Sequence, residues 1–354
     1  MKFVKKITLL MTFCVMAFSS DARVNALGGN AGYWPEDEAN VSLFPATVNN
    51  LDFIQVSGAG GTEAGTNSSA TVIWGEETTW GFGFNGSSND ALGNDWFNLM
   101  WGNGTYGALF NLGMSSTDNG AEGDANMATS TMELGVGFGM NMDFGEIGVS
   151  FSNSSHDNGD GNSDTDGNGM SLGFNLRRAQ DVWLFDNMLV NFNMNSGKDV
   201  NTAKDAKFST MGLSADLFTE LPTGEGVTAK FGMGFGYMNN TTNSGGTDED
   251  DNIETFVELP SVTLGVEAEV TDWAHVRFGL DHGYWLSYSN DDGTTKSTAT
   301  GANTFDWDFG LGFDYGSFQL DMVISETIFN NPMHYVTGRN TTPLSSNATL
   351  TWSF

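Results

Sequence analysis

Cysteine is all but missing from this sequence, and the single one, Cys14, falls inside an apolar leader. A chain that loses the leader has no disulfide and no thiol chemistry, and Thr12-Phe13 in front of Cys14 are too large for a lipid-anchored cysteine. Basic residues are also few, 13 Lys and Arg against 44 Asp and Glu, for a net charge of −31. Phosphate backbones would be repelled, which excludes nucleic acid as a partner. Proline is scarce (6), whereas Gly (46), Phe (27) and Trp (10) are plentiful, and an acidic chain so rich in aromatics is not a disordered one. No apolar run approaches the roughly 20 residues of a membrane helix. A place in a membrane therefore requires strands.

Residues 1–22 read as a secretory signal: Lys2, Lys5 and Lys6 precede an apolar core from Ile7 to Phe18, too short to span a bilayer. Small residues Ser20 and Ala22 set up a cut before Arg23, with a cut after Ser19 as the alternative. Removal takes away three lysines and Asp21, leaving 10 basic and 43 acidic residues and a net charge of −33. Residues 23–50 are turn-rich and non-periodic, and are expected in the lumen or the periplasm. Residues 51–354 then alternate almost without pause.

The rule is clearest between Thr304 and Ser325. Phe305, Trp307, Phe309, Leu311, Phe313 and Tyr315 alternate with Thr304, Asp306, Asp308, Gly310, Gly312 and Asp314. After a break at Gly316, Phe318, Leu320, Met322 and Ile324 continue one face, with Gln319 and Asp321 on the other. Strand side chains point to opposite faces with period two, so one face is aromatic and the other small and polar. That fits the wall of a transmembrane antiparallel up-and-down β-barrel, aromatic side to lipid and polar side to a lumen. About sixteen strands are expected, with fourteen as the alternative because Ala70–Trp74 is short and Asn187–Asn195 weakly patterned. Long acidic gaps such as 114–129 and 326–345 alternate with tight ones such as Asn103-Gly104 and Tyr315-Gly316. Long loops outside and tight turns in the periplasm are the habit of an outer-membrane barrel in a Gram-negative-type bacterium, where lipids and lipopolysaccharide are the surroundings. The end, SNATLTWSF, places Leu350, Trp352 and Phe354 on one face and resembles the C-terminal signal read by barrel-assembly machinery.

Sites of chemistry are hard to find. Gly81, Gly83 and Gly86 spell a dinucleotide motif but sit in an alternating strand rather than ahead of a helix. The loop from His156 to Gly169 (Asp160, Asp164, Asp166) and the run Asp248, Asp250, Asp251 are acidic. Neither has calcium-loop spacing, so solvated loops are the reading, with loose divalent-ion contacts as the alternative. Of four histidines only His275 lies clearly on an inward face, and no serine pairs with it, so no enzyme and no cofactor are expected. The inward face does carry charge: Glu133, Glu146, Glu267, Glu269, Asp306, Asp308, Asp314 and Asp321 against Arg177, Lys230, His275 and Arg277. If the turns close as spaced, Arg277 stands between Glu267 and Asp314. Inward glycine rows, Gly135/Gly137/Gly139 and Gly232/Gly234/Gly236, either let the wall curve or leave room for something inside.

In the N-terminal stretch, Ala26-Leu27-Gly28-Gly29, Asp37-Glu38-Ala39-Asn40 and Phe44-Pro45-Ala46 follow one another. This resembles the start of the long-chain fatty acid transporter superfamily of outer-membrane barrels and of related secretion-system barrels. The resemblance implies that these residues pack into the lumen ahead of the first strand. Phe44 stands where that pattern has Asn, and the segment is short for a full plug. The function expected is porin-like passage of small cationic or neutral solutes, since an acidic lumen disfavours anions. A transporter of hydrophobic compounds and a structural or adhesive surface barrel are the alternatives. The inward faces read as polar, which counts against the first of these. Association into oligomers is left open.

Overall fold

The structure, a computed structural model, describes residues 21–59, 68–86, 95–117, 129–157, 159, 166–198, 206–243, 251–301, 303–324 and 345–354. The leader up to residue 20, and Asp160, Asp164, Asp248 and Asp250, lie outside the described residues.

Strands β1 (Phe53–Ala59), β2 (Ser68–Trp74), β3 (Thr79–Gly86), β4 (Asp95–Gly102), β5 (Tyr106–Thr117) and β6 (Thr129–Met142) begin the wall. It continues through β7 (Gly145–Asp157), β8 (Gly167–Val182), β9 (Phe185–Lys198), β10 (Lys207–Glu220), β11 (Val227–Asn243) and β12 (Asn252–Thr271). β13 (Ala274–Asp291), β14 (Lys296–Ala299), β15 (Asn303–Tyr315), β16 (Phe318–Ile324) and β17 (Ser345–Ser353) complete it. Every neighbouring pair is antiparallel, and β17 closes on β1 from Phe53↔Ser353 to Ala59↔Ala348. β14 and β15 both pair with β13 and share one lane, so the wall is a closed sixteen-stranded barrel.

The alternation explains which side faces which way. Phe84, Leu99, Phe110, Leu134, Val136 and Phe138 are exposed on the outer surface, and Trp183, Trp273, Tyr315 and Phe354 stand out at its short-turn rim. Inward partners such as Asn98, Asn111, Thr349 and Thr351 are buried. An apolar band edged by aromatics suits a bilayer and would be costly in water.

Two registers differ from the sequence expectation. The gap after Tyr288 reads as a loop, yet the hairpin runs on to Asp291↔Lys296 and closes through Asp292–Thr295, where Gly293 has φ +81°. The Asp292 carboxylate accepts the backbone N–H of Thr294 and Thr295, a turn chemistry that Asp-Gly favours. Tyr288 therefore pairs with Ala299, and Arg277 lies opposite Gly310 rather than near Asp314. On β12 the ladder shifts between Glu258 and Ser261, a bulge at Leu259-Pro260. Proline removes a ladder donor and is at home in such a bulge, which swings Glu258 onto the lumen side.

The core of the molecule is inside the barrel. Residues 21–50 form helix α1 (Asp21–Asn25), a 3-10 turn (Ala31–Tyr33), helix α2 (Asn40–Leu43) and a second 3-10 turn (Pro45–Asn50), packed against the short-turn half of the lumen. The inward glycines admit it. A β-carbon on Gly107 would lie 2.1 Å from the Pro45 carbonyl oxygen, and on Gly139 2.5 Å from the Ala46 nitrogen. Around the ring Gly148 meets Leu43, Gly232 meets Tyr33, Gly279 meets Gly28 and Gly310 meets Ala26. Gly139→Val is thus expected to keep the barrel, because valine suits a strand, and to weaken seating of the N-terminal segment by about 1–3 kcal/mol, the usual cost of overpacking. Faster cleavage within residues 23–50 by added protease, with the barrel still resistant, is the readout.

Candidate functional site

Three apolar clusters seat the N-terminal segment as a plug. Val41 and Val48 pack with Phe53, Ile73, Met100 and Leu109 of the wall. Leu27, Tyr33, Trp34 and Phe44 pack with Leu189 and Phe218, the Tyr33 and Phe218 rings stacking at 4.5 Å. Ala22 and Ala26 pack with Val323. The six wall residues of the first two clusters and Val323 are apolar side chains on inward faces, where the alternation leads one to expect polar ones. Within its own strand nearly every one has polar or glycine residues two positions away, a signal that alternation alone does not flag, and only strand pairing brings Phe53 against Ile73 and Met100 against Leu109. Thirty residues suffice to reach strands on every side of the ring because the glycines bring the wall close.

Polar contacts fix the plug's position. Arg277, 1% exposed, donates through Nε to Glu267 and through Nη1 to Asp321. Its guanidinium lies over Gly312, where a β-carbon would be 2.6 Å from either Nη. Its second carboxylate is thus Asp321 on β16, while Asp314 pairs instead with His275 at 2.7 Å. Glu267 also receives Arg23 of the plug, Nε to Oε2 at 3.1 Å, and Arg23 donates to Asp37 at 2.8 Å. Burial works against the Arg23 charge, and Asp37 and Glu267 outweigh it, raising its pKa. On the far side Arg177 binds Glu146, the Gly32 carbonyl at 3.0 Å and the Asn40 side chain at 2.7 Å, with Phe44 beneath its guanidinium at 4.6 Å. Lys230 donates to the Tyr33 carbonyl at 2.9 Å, and both Lys230 (4.5 Å) and Arg23 (5.3 Å) lie over the Trp34 ring.

The resemblance residues find places in this network. Gly28 and Gly29 have φ of +93° and +77°, which favours glycine. Asp37 accepts the Ala39 N–H at 3.0 Å, and buried Asn40 donates to the Trp34 and Asp37 carbonyls. Pro45 and Ala46 occupy the Gly107–Gly139 slot. Of the remaining charges, Glu133 faces inward on β6, Glu269 is exposed at the short-turn rim beside Gly226, and Asp306 and Asp308 line a pocket. That pocket, about 360 Å³, lies between the wall and the plug's Gly28-Gly29 and also includes Asp281. A second, about 340 Å³, is lined by Pro35, Glu146, Arg177, Glu220 and Lys230. Among the described acidic-loop residues, Asp251 accepts from Asn243 at 3.0 Å and Asp166 opens onto β8. The described residues hold no group of three acidic, His or Cys side chains placed for a metal ion. Trp352 and Phe354 are exposed on the outer face, Trp352 stacking on Phe318.

No protein-family model matches the chain, and no curated protein matches it. Among solved structures it is similar to the ferric citrate transporter FecA in the unliganded form, at 11% identity and a TM-score of 0.40. That match covers 77% of this chain and 51% of FecA, so the chain spans about half the length of that protein. It is similar also to BamA from Haemophilus ducreyi, at 10% identity, TM-score 0.39, and coverage of 85% and 70%. A third is the TodX monoaromatic hydrocarbon channel, as its deltaS2 mutant, at 12% identity, TM-score 0.40, and coverage of 93% and 96%. Overlap this loose leaves the lumen to be read from its own residues.

Two outcomes are expected. Arg277→Met strands Asp321 without its cation in a buried site, which costs about 3–5 kcal/mol. It should lower the temperature at which the barrel loses its folded migration in detergent gels, and adding Asp321→Leu should recover part of the loss. The second concerns Glu38, bound by Gln55 deep in the lumen. Burial, then the nearby Asp37, pushes its carboxyl up from 4.5 to about 8. The docked plug then holds a proton that a free plug releases above pH 4.5, so seating weakens as pH rises from 4.5 to about 8 and levels off beyond. Protease accessibility of residues 23–50 should rise over that window, and Glu38→Gln should flatten the profile.

Proposed function

We propose that this chain is an outer-membrane transport barrel in which residues 23–50 gate the passage of small cationic or neutral solutes through an acidic lumen, with no enzymatic step. One observation carries the reading: the described basic side chains of the lumen are all engaged at plug level. Arg177, Lys230 and Arg277 bind the plug or the carboxylates beside it, while Asp281, Asp306 and Asp308 border the pocket above. Like charges in a narrow lumen repel anions and admit cations. Insertion into the membrane would proceed through barrel-assembly machinery reading Trp352 and Phe354.

A second reading, passage of apolar compounds, draws on Ile73, Met100 and Leu109 and on Leu189 and Phe218, which would face the lumen if the plug withdrew. In the seated state plug side chains cover both groups.

Planar-bilayer recording discriminates among these. The intact chain should conduct weakly, and Arg23→Ser, which frees the plug from Glu267, should raise conductance several-fold with cations preferred over anions. Anion selectivity would refute the acidic-lumen reading. Silent bilayers together with saturable binding of a fluorescent fatty acid would favour the second, and silence in both assays would leave a structural or adhesive barrel.

A further inference from the structure

On the long-loop side of the plug, the wall from β10 to β13 carries groups that the plug does not use. Asp216 of β10 is 8% exposed, folds over Gly234 of β11, and has neither a hydrogen bond nor an ion pair among the described residues. Its charged neighbours, Asp281 and Glu258, are both acidic. Glu258, brought inward by the β12 bulge, folds over Gly283 in the same way. Gly234, Ser261 and Gly283 are successive cross-strand partners, so the two carboxylates stand two strand spacings, about 10 Å, apart. Asp281, which accepts the Thr263 hydroxyl at 2.9 Å, forms the third corner. Phe256, Trp285 and Tyr288 adjoin this triangle with ring centroids 4.9–5.5 Å apart, and Trp285 is the cross-strand partner of Glu258. Cross-strand partners share a face, which places these rings on the lumen side with Glu258. The other described Lys and Arg residues, outside the plug-level set, are Arg178 toward the short-turn end of β8, which donates to the Ala179 carbonyl, and Lys198, Lys207 and Lys296 at the loop ends of their strands. No described basic side chain neutralises Asp216.

The charge requires a cation, and the shape selects its kind. Oxygens bind a bare divalent ion at about 2.0–2.6 Å, so carboxylates about 10 Å apart cannot share one. A bare divalent ion needs several oxygens at once, whereas an ammonium group needs only one carboxylate at hydrogen-bond distance, about 2.7–2.9 Å, while its carbon body lies on ring faces, to which cations are also drawn within about 6 Å. We propose that this chamber binds small alkylammonium ions, the ammonium on Glu258 within the field of Asp281 and Asp216 and the alkyl body against Phe256, Trp285 and Tyr288. This rests on the transport reading for its purpose, but binding is measured without flux, so either can fail alone.

The test is calorimetric titration of the purified, detergent-solubilised chain with n-butylammonium chloride. Saturable binding should weaken about tenfold in Glu258→Gln, in line with losing one charge-assisted hydrogen bond, and several-fold in Asp216→Asn, which removes a charge acting at longer range, and in Trp285→Leu. Asp157→Asn, an exposed carboxylate at the loop end of β7, should leave it unchanged. Removing a repelling charge does not endanger the fold, and folded migration in detergent gels checks each variant. Equal weakening by Asp157→Asn, calcium or sodium competing as tightly as n-butylammonium, or no binding by the intact chain would overturn the proposal. Binding that persists with silent bilayers would instead count against transport alone.

Discussion

Glu267 stands between two guanidinium groups, Arg277 of the wall and Arg23 of the plug, and the arrangement of the lumen follows from that bridge. A buried arginine is tolerable only where carboxylates meet it. Arg277 therefore draws in Glu267 and Asp321, and Glu267 has capacity left for a second cation. The plug supplies that cation at Arg23, whose other side is held by Asp37. Wall and plug are in this way parts of one ionic network running from β12 through β13 to β16.

Close approach is the second condition. Ion pairs at 2.8–3.1 Å form only if the plug backbone can reach the wall, and the glycines on the inward faces remove the side chains that would hold it away. The apolar outer surface leaves the same strands no choice of side: each polar or missing side chain has to face the lumen. Lipid outside and a guest inside are therefore two consequences of one alternating pattern.

The distribution of charge follows from the same packing. With the lumen's basic groups gathered around the plug, the carboxylates on the long-loop side keep one another as neighbours. Basic groups drawn to the plug at one level leave an acidic chamber at the next.

Alternation in the sequence determined the barrel and its tight-turn and long-loop ends, leaving sixteen lanes or fourteen, because period-two patterning and turn spacing are local properties of a chain; ring closure settled sixteen. The Glu267–Arg277 pairing was legible too, since a short turn sets register directly. What only the tertiary structure decided were contacts that pass through space. Asp321 rather than Asp314 partners Arg277, because Asp292-Gly293 tightens the hairpin by four residues. Glu258 faces inward because the bulge at Pro260 reverses its parity. Phe53, Ile73, Met100, Leu109, Leu189, Phe218 and Val323 become a docking surface only once residues 21–50 lie against them. No spacing along the chain records which distant side chain fills a glycine's place, and that is where the site was made.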